Sequence, residues 1–371
     1  MSTFDVAIVG AGIVGAACAE AFAREGLKVV IVDKHDIATG TTAAGMGHIV
    51  AMDDSDAQFA LTNYSRTLWQ QLADELPPEC EYERCGTIWV AADDDEMNEV
   101  RRKHDYYAEH DIRSEILDLR SLREAEPRLA GTLAGGLLVE SDSVVYQLPA
   151  NRFLIERAIA KGSVLRRGMQ VMSIAEGRVE LINGEKIEAD IIVNAAGAAA
   201  PRLSPELNIV KRKGHLVITD RYPNFIRHQI IELGYLRSAH GRGADSVAFN
   251  VQPRKTGQVL LGSSRQFGAE SADIDHAILR RMTTRAFEYI PKLRSLNAVR
   301  AWTGFRPATP DNLPFIGKIA GTENVYAAAG HEGLGITTSL GTAELLAAVI
   351  VGREPKIPLE PYSPSRQISE H

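Results

Sequence analysis

The sequence predicts an α/β fold in which a domain with a mostly parallel sheet is combined with a second domain built on an antiparallel sheet. Three observations predict this fold. A strand, a glycine-rich turn, a helix and a second strand follow one another within about 30 residues near the start of the chain. Another strand-helix stretch occupies 324–351. Between them, 213–265 contains short apolar runs punctuated by Gly and Pro, which is typical of antiparallel strands.

The first of these units, near the start of the chain, consists of two strands joined by a turn and a helix. A buried strand is predicted over 4–9, a turn over 10–15, a helix over 13–25 that ends at Gly26, and a second strand over 29–32. Because the two strands are joined by a helix, we expect them to be parallel and buried on both faces.

The rest of the chain alternates between the two kinds of structure. The segment 36–47 is rich in Thr, Ala and Gly and is predicted to be a loop or loosely helical. Asn183-Gly184 between apolar runs predicts a β-hairpin, and 191–193 reads as a buried strand. Further helices are predicted over 61–76, 93–111, 151–161, 274–289 and 337–351.

Composition narrows the classes of function. The 371 residues include 41 Lys plus Arg and 48 Asp plus Glu, which gives a formal net charge of −7. An acidic chain lacks the basic stripe of a nucleic-acid-binding protein, so we expect no nucleic-acid partner. At about 150 residues per domain, the length suits two to three domains.

Cysteine usage and hydropathy bear on the compartment. Cys18, Cys80 and Cys85 are too few for a disulfide framework, and their spacing matches no zinc motif, so we expect no metal. The longest apolar segment, 6–19, is interrupted by glycines and is shorter than the about 18 apolar residues of a membrane span. We therefore predict a cytoplasmic protein, with nothing in the sequence to indicate membrane contact.

The turn at 10–15 fits the pattern G-x-G-x-x-G in the context that this motif requires. Gly10 permits the tight turn, Gly12 lets the backbone approach a pyrophosphate, and Gly15 lets helix and strand pack closely. Amide groups at the helix N-terminus favour an anion. Asp33 ends the second strand, where a carboxylate accepts hydrogen bonds from a ribose and repels a 2′-phosphate. The sequence therefore predicts a Rossmann-type site for NAD or FAD.

Four other segments of the sequence favour FAD over NAD. They are the small-residue run 40–47 (GTTAAGMG), the strand end 193–197 (VNAAG), the stretch 302–317 (WTGFRPATPDNLPFIG) and the turn 330–337 (GHEGLGIT). Together with 10–33 they resemble the D-amino-acid oxidase superfamily of FAD-dependent amine oxidoreductases, over 1–365. The sequence is most similar to its glycine oxidase and sarcosine oxidase-like group, which includes the flavin subunits of D-hydroxyproline and opine dehydrogenases.

The resemblance implies roles for individual residues. Arg306 stands where the family binds the substrate carboxylate, and a guanidinium can grip a carboxylate with two hydrogen bonds. His48 is a candidate acceptor of the amine proton, and Tyr235 a candidate wall of the substrate pocket. Thr337 and Thr338 are candidate helix caps, and we expect His331 to be structural. The residues expected to contact FAD are Gly10, Gly12, Ile13, Val14, Gly15, Asp33, Lys34, Thr41, Thr42, Ala43, Gly45, Met46, Gly47, Ala196, Gly197, Gly304, Arg306, Gly333, Leu334, Gly335, Ile336 and Thr337.

The resemblance also implies a reaction. We expect FAD-dependent oxidation of a small amino acid or secondary amine acid, by hydride transfer from its α-carbon to flavin N5, to give an imine. The segment 80–92 looks most like the D-hydroxyproline and opine dehydrogenase subunits, which favours D-hydroxyproline or D-proline over sarcosine or glycine. Some members of this superfamily attach the flavin covalently to a cysteine in the C-terminal part or to a histidine in the early glycine loop. In this sequence no cysteine follows Cys85, and Ala43 and Ala44 occupy that loop. We therefore expect FAD to be bound non-covalently.

Other functions remain open at this point. The chain could be the flavin (β) subunit of a multi-subunit amino-acid or opine dehydrogenase that passes electrons to a partner chain. An NAD-dependent dehydrogenase does not explain the four later segments, and a non-catalytic scaffold explains none of the chemistry. The predicted FAD-binding domain comprises 1–80, 141–210 and 300–365, the substrate domain 81–140 and 211–299, and 366–371 forms a tail.

Overall fold

The computed structural model describes residues 4–234 and 245–367, and within them it contains two large sheets and a small one. The strands in chain order are β1 (Phe4–Val9), β2 (Val29–Asp33), β3 (His48–Ile49), β4 (Thr87–Ala91), β5 (Glu115–Asp118), β6 (Gly135–Val139), β7 (Ser143–Val144), β8 (Val164–Arg167), β9 (Val171–Ala175), β10 (Arg178–Leu181), β11 (Lys186–Asn194), β12 (Val210–Arg221), β13 (Gln229–Glu232), β14 (Ser246–Pro253), β15 (Gln258–Phe267), β16 (Ala298–Ala308), β17 (Phe315–Lys318) and β18 (Val325–Ala329).

The helices connect and cover these sheets. They are α1 (Ile13–Arg24), α2 (Asp56–Leu72), α3 (Asp94–Glu109), α4 (Leu119–Ala125), α5 (Gln147–Ala160), α6 (His276–Tyr289) and α7 (Gly335–Ile350). Short 3-10 helices occupy Ala73–Glu75, Pro78–Cys80, Gly197–Arg202, Pro291–Ser295 and Glu360–Tyr362.

The first sheet is the predicted parallel one. Its order is β17-β18-β11-β1-β2-β8, with parallel pairing from β18 to β8 and antiparallel pairing of β17. Alternate residues of β1 belong to different core clusters: Val6 and Ile8 pack with α1, α5 and α7, whereas Ala7 and Val9 pack with β9 and β10. Both faces are therefore covered, which is why β1 and β2 are almost uniformly apolar.

The second sheet has the order β16-β12-β15-β14-β13-β4-β6-β5. Its pairs are antiparallel, as predicted, except that β13 and β4 run parallel. One face packs against α6, where Phe249 and Tyr289 stack with ring centroids 4.5 Å apart. The other face packs near α3 through Trp89 and Tyr107. The α/β fold with an added, mainly antiparallel sheet is thus confirmed.

Two strands cross the predicted domain boundaries. β12 begins at Val210, and β16 pairs with it along most of its length, so 300–308 hydrogen-bonds within the second sheet. The domain limits therefore stay a prediction. The pairing of β12 with β16 shows that segments assigned to different predicted domains share one sheet.

Helix ends differ from the predicted ones where a capping side chain precedes the apolar pattern. α2 begins five residues before the predicted 61, because the Ser55 hydroxyl accepts a hydrogen bond from Gln58 N at 3.1 Å. α6 begins after Asp275, whose carboxylate accepts from Ala277 N and Ile278 N. Across the described ranges, none of these helices has both the length and the apolar character that crossing a membrane requires. The cytoplasmic location stays a prediction.

Candidate active site

The glycine turn between β1 and α1 is built as the motif predicts. Gly10 has a φ of +111°, and a Cβ added there would lie 2.5 Å from the carbonyl oxygen of Ala195. A Cβ on Gly15 would lie 2.0 Å from the carbonyl oxygen of Gly10. Neither position can hold a larger residue without moving backbone, so the turn fixes α1 against the ends of β1 and β11. This places the helix N-terminus at the carboxyl edge of the parallel sheet, where nucleotides bind in such folds.

Asp33 supports this turn directly. Its Oδ2 accepts a hydrogen bond from Ala11 N at 2.7 Å, and its Oδ1 accepts from His35 N at 2.8 Å. A carboxylate oxygen can accept more than one hydrogen bond, so Asp33 retains capacity for a ribose hydroxyl. The predicted ribose contact is therefore compatible with a second role that the sequence did not reveal, which is to hold the turn and the end of β2 together.

A cavity of about 740 Å³ runs from this turn to the second sheet. Its lining contains most of the residues expected to contact FAD, together with His48 and His331. The expected residues in the lining are Gly10, Gly12, Ile13, Val14, Asp33, Lys34, Thr41, Thr42, Gly45, Met46, Ala196, Gly197, Gly304, Arg306, Gly333, Gly335 and Ile336. The structure thus brings five separate segments of the chain around one elongated space.

The remaining expected residues lie outside that lining. Gly15 and Gly47 pack against backbone, and a Cβ on Gly47 would lie 2.0 Å from the carbonyl oxygen of Val145. Ala43 is absent from the lining, and Leu334 faces a smaller, neighbouring cavity. The Thr337 side chain donates a hydrogen bond from Oγ1 to the carbonyl oxygen of His48 at 2.7 Å. Gly47 and Thr337 therefore contact neighbouring backbone and not the cavity.

The small-residue loop 40–47 is packed tightly between β16 and α7. A Cβ on Gly304 would lie 2.3 Å from Ala44 Cβ, and one on Gly45 would lie 2.6 Å from Ile336 Cδ1. Thr41 Oγ1 donates to the carbonyl oxygen of Phe305 at 2.7 Å. Only small residues allow these backbone segments to converge here beside the large cavity.

The expected threonine caps of the last helix are wrong. α7 begins at Gly335, two residues before the predicted start, and has no side-chain cap at its N-terminus. Thr338 Oγ1 donates instead to the carbonyl oxygen of Leu334 at 2.9 Å. Both threonines therefore lie within the first turn of the helix rather than ahead of it.

A second cavity, of about 70 Å³, adjoins the first, and we call it the small chamber. His48, Asn250, Glu332 and Gly333 line both cavities, so the two meet there. The rest of the small chamber is lined by Val50, Met52, Asp54, Gln58, Trp89, Arg212, Ile231, Arg265, Asn312 and Leu334. Eight of these fourteen lining residues are polar or charged, and the apolar surface comes from Val50, Met52, Trp89, Ile231 and Leu334.

His48 lies at this junction and is held by two amides. Its Nδ1 contacts Gln229 Oε1, and its Nε2 is 3.2 Å from Asn250 Nδ2. Gln229 Nε2 donates to the carbonyl oxygen of Ser143 at 3.0 Å, so Gln229 presents its oxygen to His48. This assigns the proton of the neutral imidazole to Nδ1 and leaves Nε2 as the acceptor. Burial lowers the pKa of His48, and the charge of Arg306 lowers it further.

Arg306 belongs to a charged group with Arg212, Arg265 and Glu332, of which Arg265 is buried and the other three residues are half-buried. The register of β12 and β16 places Arg212 opposite Arg306. Arg212 Nη1 is 3.2 Å from Glu332 Oε1, and Arg265 Nε is 3.8 Å from the same oxygen. Burial opposes the ionisation of Glu332, yet the three guanidinium groups hold the pKa of its carboxyl below the ordinary value. The four side chains carry two more positive than negative charges.

The guanidinium of Arg306 has a fixed position. Its Nη1 donates to the carbonyl oxygen of Ser264 at 2.8 Å, and a Cβ on Gly214 would lie 2.6 Å from Nη1. The absence of a side chain at Gly214 therefore makes room for Arg306 beside the large cavity. Arg306 and His48 both line the large cavity, so the cavity combines a fixed cation, which can hold a carboxylate, with a neutral imidazole, which can face an amine.

The structure adds residues that the sequence did not indicate. Arg212, Arg265, Gln229 and Asn250 come from four strands of the second sheet, and no local motif marks any of them. Only the pairing of distant strands brings them to His48. Tyr235, the third predicted catalytic residue, lies outside the described residues.

The structural role expected of His331 stays a prediction, and its contacts are consistent with it. Its side chain is buried, and its Nε2 lies 3.0 Å from Thr342 Oγ1. Burial lowers its pKa from 6.5 to about 3. At pH values between about 3 and 6.5, the His331 imidazole is protonated in the unfolded chain and neutral in the folded chain, so acidification favours unfolding.

We expect the free energy of unfolding to fall by up to about 1.4 kcal/mol per pH unit from this residue as pH decreases from 6.5. In urea unfolding at pH 7 and pH 5, the His331→Gln variant should therefore lose less stability on acidification than the native chain. The matched control is His276→Gln, since His276 is exposed. Equal losses in the native chain and the His331→Gln variant would contradict the expectation.

The fold and the site together define a flavin-dependent amine or amino-acid oxidoreductase. A family model described as DAO, FAD dependent oxidoreductase, matches residues 5–349. The chain belongs to this family, so it is an FAD-dependent enzyme that acts on amino acids or amines. The predicted family and cofactor are confirmed.

Individual relatives cover the whole chain. Glycine oxidase of Pseudomonas aeruginosa is 28% identical over 391 residues, spanning 98% of this chain and 99% of the relative. A subunit of the opine oxidase of Rhizobium meliloti is 24% identical, spanning 99% and 98%. The crystal structure of glycine oxidase from Geobacillus kaustophilus matches with a TM-score of 0.89 at 25% identity, over 99% of both chains. That of L-proline dehydrogenase from P. horikoshii shares the fold, with a TM-score of 0.89 at 22% identity over 98% and 97%.

The lining of the large cavity suits FAD on structural grounds. The glycine turn and the N-terminus of α1 lie at one part of the lining, and small residues of the loop 40–47 line another. When bound there, FAD supplies the two-electron acceptor for the reaction. The turn and Asp33 would hold its nucleotide, and the loop 40–47 with the start of α7 would hold its ring. Non-covalent attachment stays a prediction.

Proposed function

We propose that this protein oxidises a small secondary amine acid to an imine, with D-hydroxyproline and D-proline as the favoured substrates. The observation that carries the proposal is that the fixed guanidinium of Arg306 and the neutral imidazole of His48 line the same large cavity, which meets the small chamber at His48. The guanidinium binds the substrate carboxylate, and Arg212 and Arg265 add positive charge to the same region. The carboxylate thereby sets the orientation of the α-carbon and the amine.

A neutral His48 imidazole can accept a proton from the substrate amine. The substrate amine must lose a proton before its α-carbon can be oxidised, and Nε2 of His48 is the acceptor at this junction. Asn250 must first release Nε2, which rotation of its amide side chain would allow. Because burial holds the pKa of His48 down, the imidazole is available as an acceptor at neutral pH.

The walls of the small chamber support a ring substrate. Val50, Met52, Trp89, Ile231 and Leu334 present apolar surface next to His48. Glycine would leave this surface without a partner, whereas the methylene groups of a pyrrolidine ring would cover it. The chamber includes β4, from the segment that resembles the D-hydroxyproline dehydrogenase subunits.

The test is an anaerobic visible spectrum of the purified protein, recorded before and after addition of D-hydroxyproline, D-proline, sarcosine and glycine in turn. We expect the oxidised flavin bands to bleach with D-hydroxyproline and D-proline at lower concentrations than with sarcosine or glycine. The L-enantiomers of both ring substrates serve as controls for stereochemistry. A protein whose flavin is bleached by dithionite but by neither D-hydroxyproline nor D-proline would contradict the proposal.

A second candidate function concerns the electron acceptor. Two relatives are named as parts of larger enzymes: the opine oxidase chain of Rhizobium meliloti, and hydrogen cyanide synthase subunit HcnC of Pseudomonas aeruginosa, which is 27% identical over 418 residues. By analogy, this chain would pass electrons to a partner chain rather than to oxygen. Admitting air to the bleached protein tests this: rapid return of the flavin bands with peroxide indicates an oxidase. Slow return, with rapid turnover of an artificial dye, indicates a dehydrogenase subunit.

A further inference from the structure

Two amide side chains contact the imidazole of His48, and only one of them is anchored at its other end. Gln229 is fully buried, and its Nε2 donates to the carbonyl oxygen of Ser143 at 3.0 Å and to Thr87 Oγ1 at 3.2 Å. A backbone carbonyl oxygen accepts hydrogen bonds and never donates them, so it fixes which end of the Gln229 amide is the NH2 group. Oε1 of Gln229 must therefore face Nδ1 of His48.

The pairing of strands holds Gln229 in this arrangement. β13 and β4 run parallel, and their register places Gln229 beside Thr87. β3, which contains His48, pairs with β7, which contains Ser143. The carbonyl group that anchors Gln229 thus belongs to the strand that also holds the backbone of His48. Turning the Gln229 amide around would put its oxygen against that carbonyl oxygen and leave two buried acceptors facing each other, which is costly.

Asn250 is not anchored in this way. Its Nδ2 lies 3.2 Å from His48 Nε2, while its Oδ1 is buried and has no hydrogen-bond partner among the described residues. If the amide turns around, Oδ1 takes the place of Nδ2. Asn250 can thus donate to an unprotonated Nε2 or accept from a protonated one. It follows the protonation state of His48 and does not set it.

The two ring nitrogens of His48 have different surroundings. Asn250, the partner of Nε2, lines both cavities. Gln229, the partner of Nδ1, is 0% exposed and belongs to the lining of neither cavity. Nε2 is therefore on the side of the cavities, where the proposed substrate lies, and Nδ1 is on the side of the protein interior.

We propose that Gln229 is a positioning residue of the reaction, which keeps the proton of neutral His48 on Nδ1 and so leaves Nε2 free to take the proton of the substrate amine. The inference rests on the proposed function, and it names the residue that makes His48 a proton acceptor at the correct nitrogen. In the transfer, the N–H bond of the protonated substrate amine breaks, its electron pair stays on the amine nitrogen, and the proton forms a bond with Nε2. The imidazolium then donates from Nδ1 to Gln229 Oε1 and, once Asn250 has turned, from Nε2 to Asn250 Oδ1.

The first test locates the proton on His48 by nitrogen NMR of the holoenzyme, prepared with isotope-labelled histidine and recorded at pH 8. The His48→Gln variant assigns the two resonances, since it lacks them. In the native protein, Nδ1 of His48 should have the chemical shift of a protonated nitrogen, and Nε2 that of an unprotonated one. In the Gln229→Met variant, which keeps the side-chain length but loses both ends of the amide, the Nε2 resonance should move towards the protonated value, because Nε2 can then donate to Asn250 Oδ1.

The second test measures kcat/KM by anaerobic flavin reduction with the amine acid that bleaches the flavin. In Gln229→Met it should fall at least about 10-fold, because a proton on Nε2 blocks transfer from the amine. Pyrrole-2-carboxylate, which presents a carboxylate but no basic amine, should bind this variant with a Kd within about twofold of the native value, read from the flavin difference spectrum. Gln70→Met is the matched control: Gln70 is half-buried and also donates to a backbone carbonyl oxygen, that of Ser141 at 3.1 Å, so its replacement should keep the native kinetics and His48 resonances.

The outcomes are distinct from those of the proposed function. A native His48 with its proton on Nε2 overturns the role of Gln229 while the proposed reaction stands, and so does a Gln229→Met variant in which either the Nε2 resonance or kcat/KM stays native. The native spectrum tests the assignment without any variant, so the result holds even if Gln229→Met does not fold. If neither proline bleaches a flavin that dithionite reduces, the proposed function fails whatever the nitrogen spectrum shows, and the role of Gln229 in the reaction fails with it.

Discussion

Replacing Arg306 with lysine should raise KM for the amine acid sharply and lower kcat/KM by about 30- to 1000-fold, corresponding to about 2–4 kcal/mol. Lysine keeps the positive charge but cannot present two parallel N–H donors to a carboxylate. It would also lose the contact with the carbonyl oxygen of Ser264 that positions the guanidinium. The measurement is steady-state kinetics with the substrate identified by flavin bleaching.

The variant should still purify with bound FAD, because the glycine turn and the loop 40–47 are unchanged. Arg300→Lys is the matched control: Arg300 lies on the same strand but is exposed, so its replacement should leave the kinetics within about twofold. Native kinetics in Arg306→Lys would remove Arg306 from carboxylate binding. They would leave Arg212 and Arg265 as the remaining candidates.

Replacing Gly12 with aspartate should abolish FAD binding while preserving the fold. Gly12 precedes α1 with φ −71° and ψ 177°, an extended conformation that any residue adopts. Aspartate is a good N-cap residue, so the helix should tolerate it. Its carboxylate would, however, occupy the position where a pyrophosphate approaches, and like charges in contact cost several kcal/mol. We expect FAD affinity to fall at least about 100-fold.

The ratio of absorbance at 450 nm to that at 280 nm in the purified protein measures this loss, and circular dichroism checks the fold. Gly131→Asp provides the control for added charge: Gly131 is exposed, and a Cβ there meets only Arg123 at 3.8 Å. A yellow Gly12→Asp protein with native FAD content would show that the cofactor does not lie against the glycine turn.

Several parts of this molecule were predictable because their physics is local. Gly15 must be glycine because a Cβ there would meet the carbonyl oxygen of Gly10 within the same βαβ unit, so the motif predicts strand, helix and anion site together. Helix ends were less predictable. The start of α2 depends on the Ser55 cap, and the threonines in α7 bind carbonyl groups rather than cap the helix.

The sequence by itself determined the fold class and the FAD-dependent family, because both are indicated by contiguous motifs. Only the tertiary structure decided what surrounds His48. Gln229, Asn250, Arg212 and Arg265 come from different strands, and the pairing register of the second sheet decides which side chains meet. A register depends on long-range packing of whole strands, and a shift by one residue would turn each side chain to the other face. The motifs of the expected cofactor site are therefore local, whereas the meeting of those segments around one cavity and the small chamber both depend on the assembled sheets.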